Sequence, residues 1–259
     1  MRIMMIGDIV GRPGRKGIKE TLETIRQELK LDAIIANGEN AAGGNGITAD
    51  IGTDLFEYGI DVLTMGNHVW DKREAISYIN RETRIVRPAN YPPGSPGRGA
   101  GIYNVGGYTI GVINFSGRVY LSTLDCPFRL ADEMLETVRS ETPIIIVDFH
   151  AEATSEKVAL GWYLDGRVSA VLGTHTHIQT ADERILPQGT AYISDVGMTG
   201  PRNSVLGVKT ELVLEKFTTQ MPVRFEVADG PYQFNAVVID IDEDTGMATD
   251  IERIYNIEY

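Results

Sequence analysis

The sequence predicts an α/β protein made of two packed sheets flanked by helices. Three observations predict it. Through the first half of the chain, apolar strand-like runs alternate with amphipathic stretches at helical spacing, the order of βαβ units. Near the middle, a Gly-Gly pair between two alternating runs marks a hairpin. The last part alternates apolar and polar residues around Asp-Gly and Thr-Gly turns, in the manner of antiparallel strands.

In chain order, "RIMMIG" reads as a buried strand. Ile18, Leu22, Ile25 and Leu29 then recur on one helical face. "DAIIAN" is a second strand, 48–58 a helix, "DVLTMG" a third strand, 71–81 a helix and "RIVRPAN" a short fourth strand. "NYPPGSPGRGAG" (90–101) holds three prolines and four glycines and reads as a loop. It does not resemble a linker, so residues 1–259 are read as a single domain. "GIYNVGGYTIGVINFSG" is the hairpin, and 128–140 is helical. "PIIIVDFH" is a strand, 155–164 a helix, and "VSAVLG" and "TAYISDVG" are strands. The tail, from "VRFEVADG" to "DIERIY", reads as antiparallel strands turning at Asp229-Gly230 and Thr245-Gly246.

Composition narrows the setting. A chain of 259 residues buries a large core without help from metals or disulfides. The single cysteine, Cys126, excludes an internal disulfide and a cysteine-based zinc site. The N-terminus makes a poor signal peptide, and no run approaches 18 apolar residues. The expectation is a cytoplasmic protein with no membrane partner. A net charge of −12 argues against a strong nucleic-acid-binding surface. A small anionic substrate remains compatible, because bound cations reverse the local field.

Five apolar runs end in polar residues of one kind. "MMIG" leads to Asp8, "AIIANG" to Glu39 and Asn40, and "VLTMG" to Asn67 and His68. "IIIVDF" leads to His150, and "SAVLGT" to His175 and His177. All four histidines of the chain therefore follow strands. In open α/β sheets ligands bind at that edge. Each residue alone has an ordinary reading: Asp8 as a helix cap, "NGEN" and "GNH" as polar turns, His150 as a structural histidine. Together they predict a metal site. Imidazole, carboxylate and amide oxygen suit iron, manganese or zinc. The ligands are too many for one tetrahedral site and enough for two ions sharing a carboxylate, about 3.5–4 Å apart. On this reading His175 and His177 serve different metals.

The motifs resemble the calcineurin-like metallophosphoesterases, in which Asp-x-His, Gly-Asp, Gly-Asn-His, a lone His and a Gly-His-x-His motif follow one another. Here the stretches are "GDIV", "NGEN", "GNHVWDK", "VDFHAEATSEK" and "GTHTH". Val10 stands where the superfamily has its first histidine, Glu39 replaces the bridging Asp, and Val69 follows "GNH". These departures are similar to the bacterial YmdB-like branch, as are "GDIVGRPGR", "NGENAAGG" and "DFHAEATSEK". The resemblance covers essentially the whole chain. It implies a four-layer α/β/β/α sandwich with two packed mixed sheets, a di-iron centre, and phosphodiesterase activity that includes 2′,3′-cyclic nucleotides. It also implies that Asp8, Glu39, Asn40 and His177 hold one metal, and that Glu39, Asn67, His150 and His175 hold the other. Asn40 fills the place Val10 leaves, and His68 is the proton donor to the leaving oxygen.

The expected chemistry is attack on phosphorus by hydroxide formed from water at neutral pH, in line with the leaving oxygen. Asp71 is read either as a partner of His68 or as a helix cap. Gly43, Gly44 and Gly46 are read as a close-approach or a flexible loop. Residues 195–207 are read as a second loop near substrate, with Arg202 a solvated arginine or a phosphate contact. Two other functions fit the same residues: a regulatory or nucleotide-sensing metal protein acting through a protein or RNA partner, and a phosphomonoesterase. A homo-oligomer is also compatible.

Overall fold

The computed structural model describes residues 1–257. The first sheet grows around β1 (Arg2–Ile6), β3 (Ala33–Asn37), β4 (Val62–Thr64) and β5 (Ile85–Val86), which lie parallel. Its order is β2 (Asp8–Ile9), β12 (Met198–Pro201), β13 (Tyr232–Ile241), β1, β3, β4, β5, with β14 (Ala248–Ile257) paired to β13. The second sheet runs β10 (Arg184–Ile185), β11 (Ala191–Ile193), β9 (Ala170–Thr174), β8 (Ile145–His150), β7 (Tyr108–Ser116), β6 (Ala100–Val105). Both sheets are mixed.

Side-chain alternation stacks these elements into four layers, because successive residues of a strand face opposite ways. Along β1, Met4 and Ile6 join a core with α1 (Gly11–Leu29), α2 (Ala49–Glu57) and α3 (Ala75–Arg81). Ile3 and Met5 point the other way and meet Val112, Ile146 and Leu172 of the second sheet. On that sheet Ile145, Val147 and Phe149 turn outward and pack on α4 (Pro127–Glu141) and α5 (Thr154–Leu164), through Leu135, Val138 and Leu160. The result is the expected α/β/β/α sandwich. Among the described residues no helix is long and apolar enough to cross a membrane.

The helical face Ile18-Leu22-Ile25 is buried, with Leu29 packed against it. The hairpin turns at Gly106 and Gly107, both at positive φ, as a two-residue turn requires. Three expectations are corrected. The helix read from 71 begins at Ala75, and Asp71 is no cap. Residues 223–229 alternate like a strand, yet only Val227 finds a bridge, to Val208, so no ladder forms. A sixth helix, α6 (Thr210–Thr219), was not read from the sequence; it buries only Val213, so its apolar stripe is faint. Of the tail strands, β13 inserts antiparallel beside β1. This leaves the C-terminal ends of β1, β3, β4, β8 and β9 at one edge.

Candidate metal centre

Asp8, Glu39, Asn40, Asn67 and His68 arrive from the first sheet; His150, His175 and His177 arrive from the second. The structure brings all eight to that one edge. Asp8 and His150 are fully buried, Glu39 and Asn40 nearly so. Asn67 and His68 are half-buried, the His68 side chain 37% exposed.

The closest grouping surrounds His150 Nε2. Glu39 Oε1 lies 2.9 Å away, Asn67 Oδ1 3.1 Å and His175 Nδ1 3.0 Å. One N–H can satisfy only one of these three acceptors, so the remaining lone pairs face each other. A cation resolves that conflict. Glu39, His150 and His175 form a group of ligand atoms within 4.8 Å of one another. Two oxygens beside it are buried without partners, Asp8 Oδ1 and Asn40 Oδ1. Asn40 Nδ2 donates to the Gly44 carbonyl at 2.9 Å, which turns its oxygen the other way. His177 Nε2 stands 3.8 Å from Asp8 Oδ1. A methyl group on Gly66 would lie 2.3 Å from Glu39 Oε2 and 2.4 Å from His150 Nε2, so only glycine leaves this space open. The residues fit a divalent metal centre.

The electrostatics agree. Burial raises the Asp8 carboxyl to about 6. Burial also opposes charge on Glu39, but His150 outweighs it and holds the carboxylate low, at about 2. Burial opposes charge on His150 as well, and Glu39 and Asp8 overcome it, raising the ring to about 9. His175 is pushed down to about 3 by burial and by the neighbouring His150 charge. The metal-free centre thus keeps a proton on His150 as a stand-in cation.

Partners outside the cluster fix each imidazole. Thr174 Oγ1 donates to Asp148 Oδ1 at 2.7 Å, so it accepts from His150 Nδ1 at 2.9 Å. Asp148 is buried and also takes bonds from Asn37 Nδ2 and Thr64 Oγ1. This network ties β3 and β4 to β8 and β9, sheet to sheet. His175 Nε2 meets Glu152 Oε2 at 3.0 Å, and His177 Nδ1 donates to the Leu206 carbonyl at 3.0 Å. All three rings therefore turn one nitrogen outward to an acceptor and the other toward the cluster. Glu152 and Asp148 were not singled out in the sequence, and Thr174 only as the residue that makes "GTHTH" one longer than Gly-His-x-His. Their only signal is their place in "VDFHAE" and "GTHTH".

The His175-Thr176-His177 turn is strained: both histidines carry positive φ, 102° and 67°. Asp195 holds it. Its Oδ2 accepts from Thr176 N at 3.0 Å and Thr176 Oγ1 at 2.7 Å, and Lys157 Nζ meets the same oxygen at 2.6 Å. Lys157 and Asp195 side chains are only 2% and 1% exposed. Asp8 Oδ2 takes the His175 N–H at 3.1 Å.

His68 stands at the rim. Its N–H donates to Glu39 Oε2 at 2.9 Å, and its Nδ1 lies 2.8 Å from Asp71 Oδ2. Asp71 therefore partners His68, and Asn45 Nδ2 also donates to it. Gly43 and Gly44 adopt positive φ beside the opening. Asp8 caps no helix; Val10 occupies that position. Arg202 is exposed and is not among the cavity-lining residues, whereas Leu206 is.

Comparison with known proteins agrees with this geometry. The profile of YmdB-like proteins matches residues 4–254. A Bacillus subtilis protein named 2′,3′-cyclic-nucleotide 2′-phosphodiesterase is 53% identical over 98% of this chain and 96% of its own. A hypothetical protein from Thermus thermophilus superposes with a TM-score of 0.94 at 42% identity, covering 100% of both chains. A structure described as a novel phosphatase of Mycoplasma pneumoniae gives 0.94 at 32% identity, over 99% of this chain and 93% of that one. The inward-facing histidines, the orphaned buried oxygens and these full-length matches lead to one conclusion: the chain belongs to the YmdB-like protein family.

Proposed function

We propose that this protein is a dinuclear metal-dependent phosphodiesterase that opens 2′,3′-cyclic nucleotides. The observation that carries it is the crowding of Glu39, Asn67 and His175 acceptors around His150 Nε2, which only a cation relieves. The substrate class comes from the 53%-identical relative and its printed name. Asp8, Glu39, Asn40 and His177 would hold one ion, and Glu39, Asn67, His150 and His175 the other. The donor set suits iron, with manganese and zinc as alternatives. The setting proposed is the cytoplasm, and the substrate a small molecule.

Two such ions, when bound, acidify water and neutralise phosphate oxygens. The chain supplies the rest. Asp148, Glu152 and the Leu206 carbonyl keep the imidazoles aimed inward. Asp71 occupies His68 Nδ1, so Nε2 is the nitrogen left to serve the substrate. As a water oxygen bonds to phosphorus and the P–O2′ bond breaks, His68 delivers a proton to O2′, leaving a 3′-phosphate. An alkoxide is a poor leaving group because it is strongly basic, and it needs that proton.

Turnover of 2′,3′-cyclic AMP by iron- or manganese-loaded protein, with the product resolved as 3′- or 2′-phosphate, tests this. A 3′-phosphate product and two ions per chain are expected. No turnover in fully loaded protein, or faster hydrolysis of monoesters, refutes the reading.

A further inference from the structure

The cavity over the cluster, about 580 Å³, has two chemically different sides. One carries Glu39, Asn40, His68, His175 and His177; the other is an apolar wall of Leu206, Val208, Phe225 and Val227. The wall is a constructed feature. Val205 and Val208 exchange backbone hydrogen bonds of 2.9 and 3.0 Å, closing a two-residue turn at Leu206-Gly207. Both turn residues have positive φ, 53° and 95°. Glycine, asparagine or aspartate ordinarily fill such positions. Leucine is disfavoured at the first, yet here Leu206 sits there 46% exposed. Its carbonyl is the acceptor for His177 Nδ1, so the wall is fastened to the cluster.

The second half of the wall is held by the Val208–Val227 bridge. Lys209 N donates to the Glu226 carbonyl and Ala228 N to that of Gly207. This fixes the segment that carries Phe225, which is 50% exposed. A half-exposed aromatic ring and a strained, half-exposed leucine thus face the same space as the cluster. Strain of this kind persists where the surrounding structure enforces it, often at binding sites.

An anionic group at the cluster and a flat, weakly polar group at the wall is the division found in a nucleoside phosphate. We propose that Phe225 and Leu206 form a base-binding subsite. The nucleobase stacks on the Phe225 ring and packs against Leu206 while its ribose phosphate lies at the cluster. The inference rests on the phosphodiesterase reading above. Glu226, which lines the same side, is paired with Lys209; the remaining contacts of the wall are a π-face and methyl groups, so it accepts any base and favours purines for their larger face.

The test compares ligands with and without a base. Binding of adenosine 3′-monophosphate and of ribose 3-phosphate to metal-loaded protein is measured by calorimetry. Kinetics are measured on 2′,3′-cyclic AMP and on the 2,3-cyclic phosphate of methyl riboside. Phe225→Ala is expected to weaken nucleotide binding, and to raise KM for cyclic AMP, by about tenfold, the loss of one stacked ring. The ratio of kcat/KM between the two substrates falls accordingly, and Phe225→Trp restores it. Leu206→Asn relieves the turn, so Tm rises while nucleotide binding weakens. Equal losses on base-bearing and base-free ligands, or unchanged nucleotide binding in Phe225→Ala, overturn the subsite. If the wild type binds the nucleotide but turns over neither cyclic substrate, the phosphodiesterase reading fails and the binding comparison still decides the subsite.

Discussion

At the scale of the residue, His68 and His150 divide two tasks that histidine can perform. His150 is sealed in, and His68 stands at the rim with Asp71 behind it. On the proposed mechanism, His68→Ala is expected to keep the metal content and the fold while losing about 10²–10⁴-fold on a poor leaving group. A nitrophenolate ester needs little protonation and should lose much less; equal losses would indicate a positioning role. His150 sets the pH behaviour of metal-free protein. Its folded pKa, about 9, exceeds its unfolded value of 6.5. The proton on the folded form is therefore a stabilising feature that is fully present below pH 6.5 and lost as pH rises toward 9. Denaturation of metal-free protein should show stability falling across that window, on the order of 3 kcal/mol at most. Metal uptake expels the same proton, so it should release acid below pH 9. Flat stability from pH 6.5 to 9 would argue against the His150–Glu39 pair.

At the scale of the element, the informative piece is the turn after β9. Two histidines one residue apart in an extended strand would point the same way, but positive φ at both redirects them. His175 then reaches His150, and His177 approaches Asp8. The turn depends on Asp195, which lies 19 residues beyond Thr176 in the chain. Asp195→Ala leaves Lys157 buried without its counter-charge and should cost about 3–5 kcal/mol. It should also weaken metal binding, because nothing then holds Thr176. Pairing it with Lys157→Met should recover most of the stability but not the metal affinity. Recovery of both would mean that Asp195 serves only the core.

At the scale of the whole molecule, the centre is a joint between two sheets. Carboxylates and amides come from β1, β3 and β4, or just beyond them, and imidazoles from β8 and β9. Beneath them Asp148 bonds Asn37 and Thr64 of one sheet and Thr174 of the other. Metal binding therefore contributes directly to folding stability. Chelation should lower Tm in wild type, and Glu39→Ala should abolish both the metal content and the chelator effect. A Tm insensitive to chelator in metal-loaded wild type would contradict a centre that spans the sheets.

The sequence by itself pointed to two packed sheets flanked by helices, because period-2 and period-3.6 apolar patterns specify which faces are buried; the four-layer order came with the family resemblance. It also picked out the residues that gather, because Asp8, Glu39, Asn67, His150, His175 and His177 all stand at or just beyond strand ends that run to one edge. Only the tertiary structure decided what supports that chemistry. Asp148, Glu152, Asp195 and Lys157 look like ordinary charged residues until folding buries or pairs them with partners far along the chain. Leu206 lies in a segment with no clear periodicity, and Phe225 in one, 223–229, whose alternation reads as a strand that does not form. Their position over the cluster comes from a turn at disfavoured φ and one bridge to Val208, contacts that local patterning does not encode.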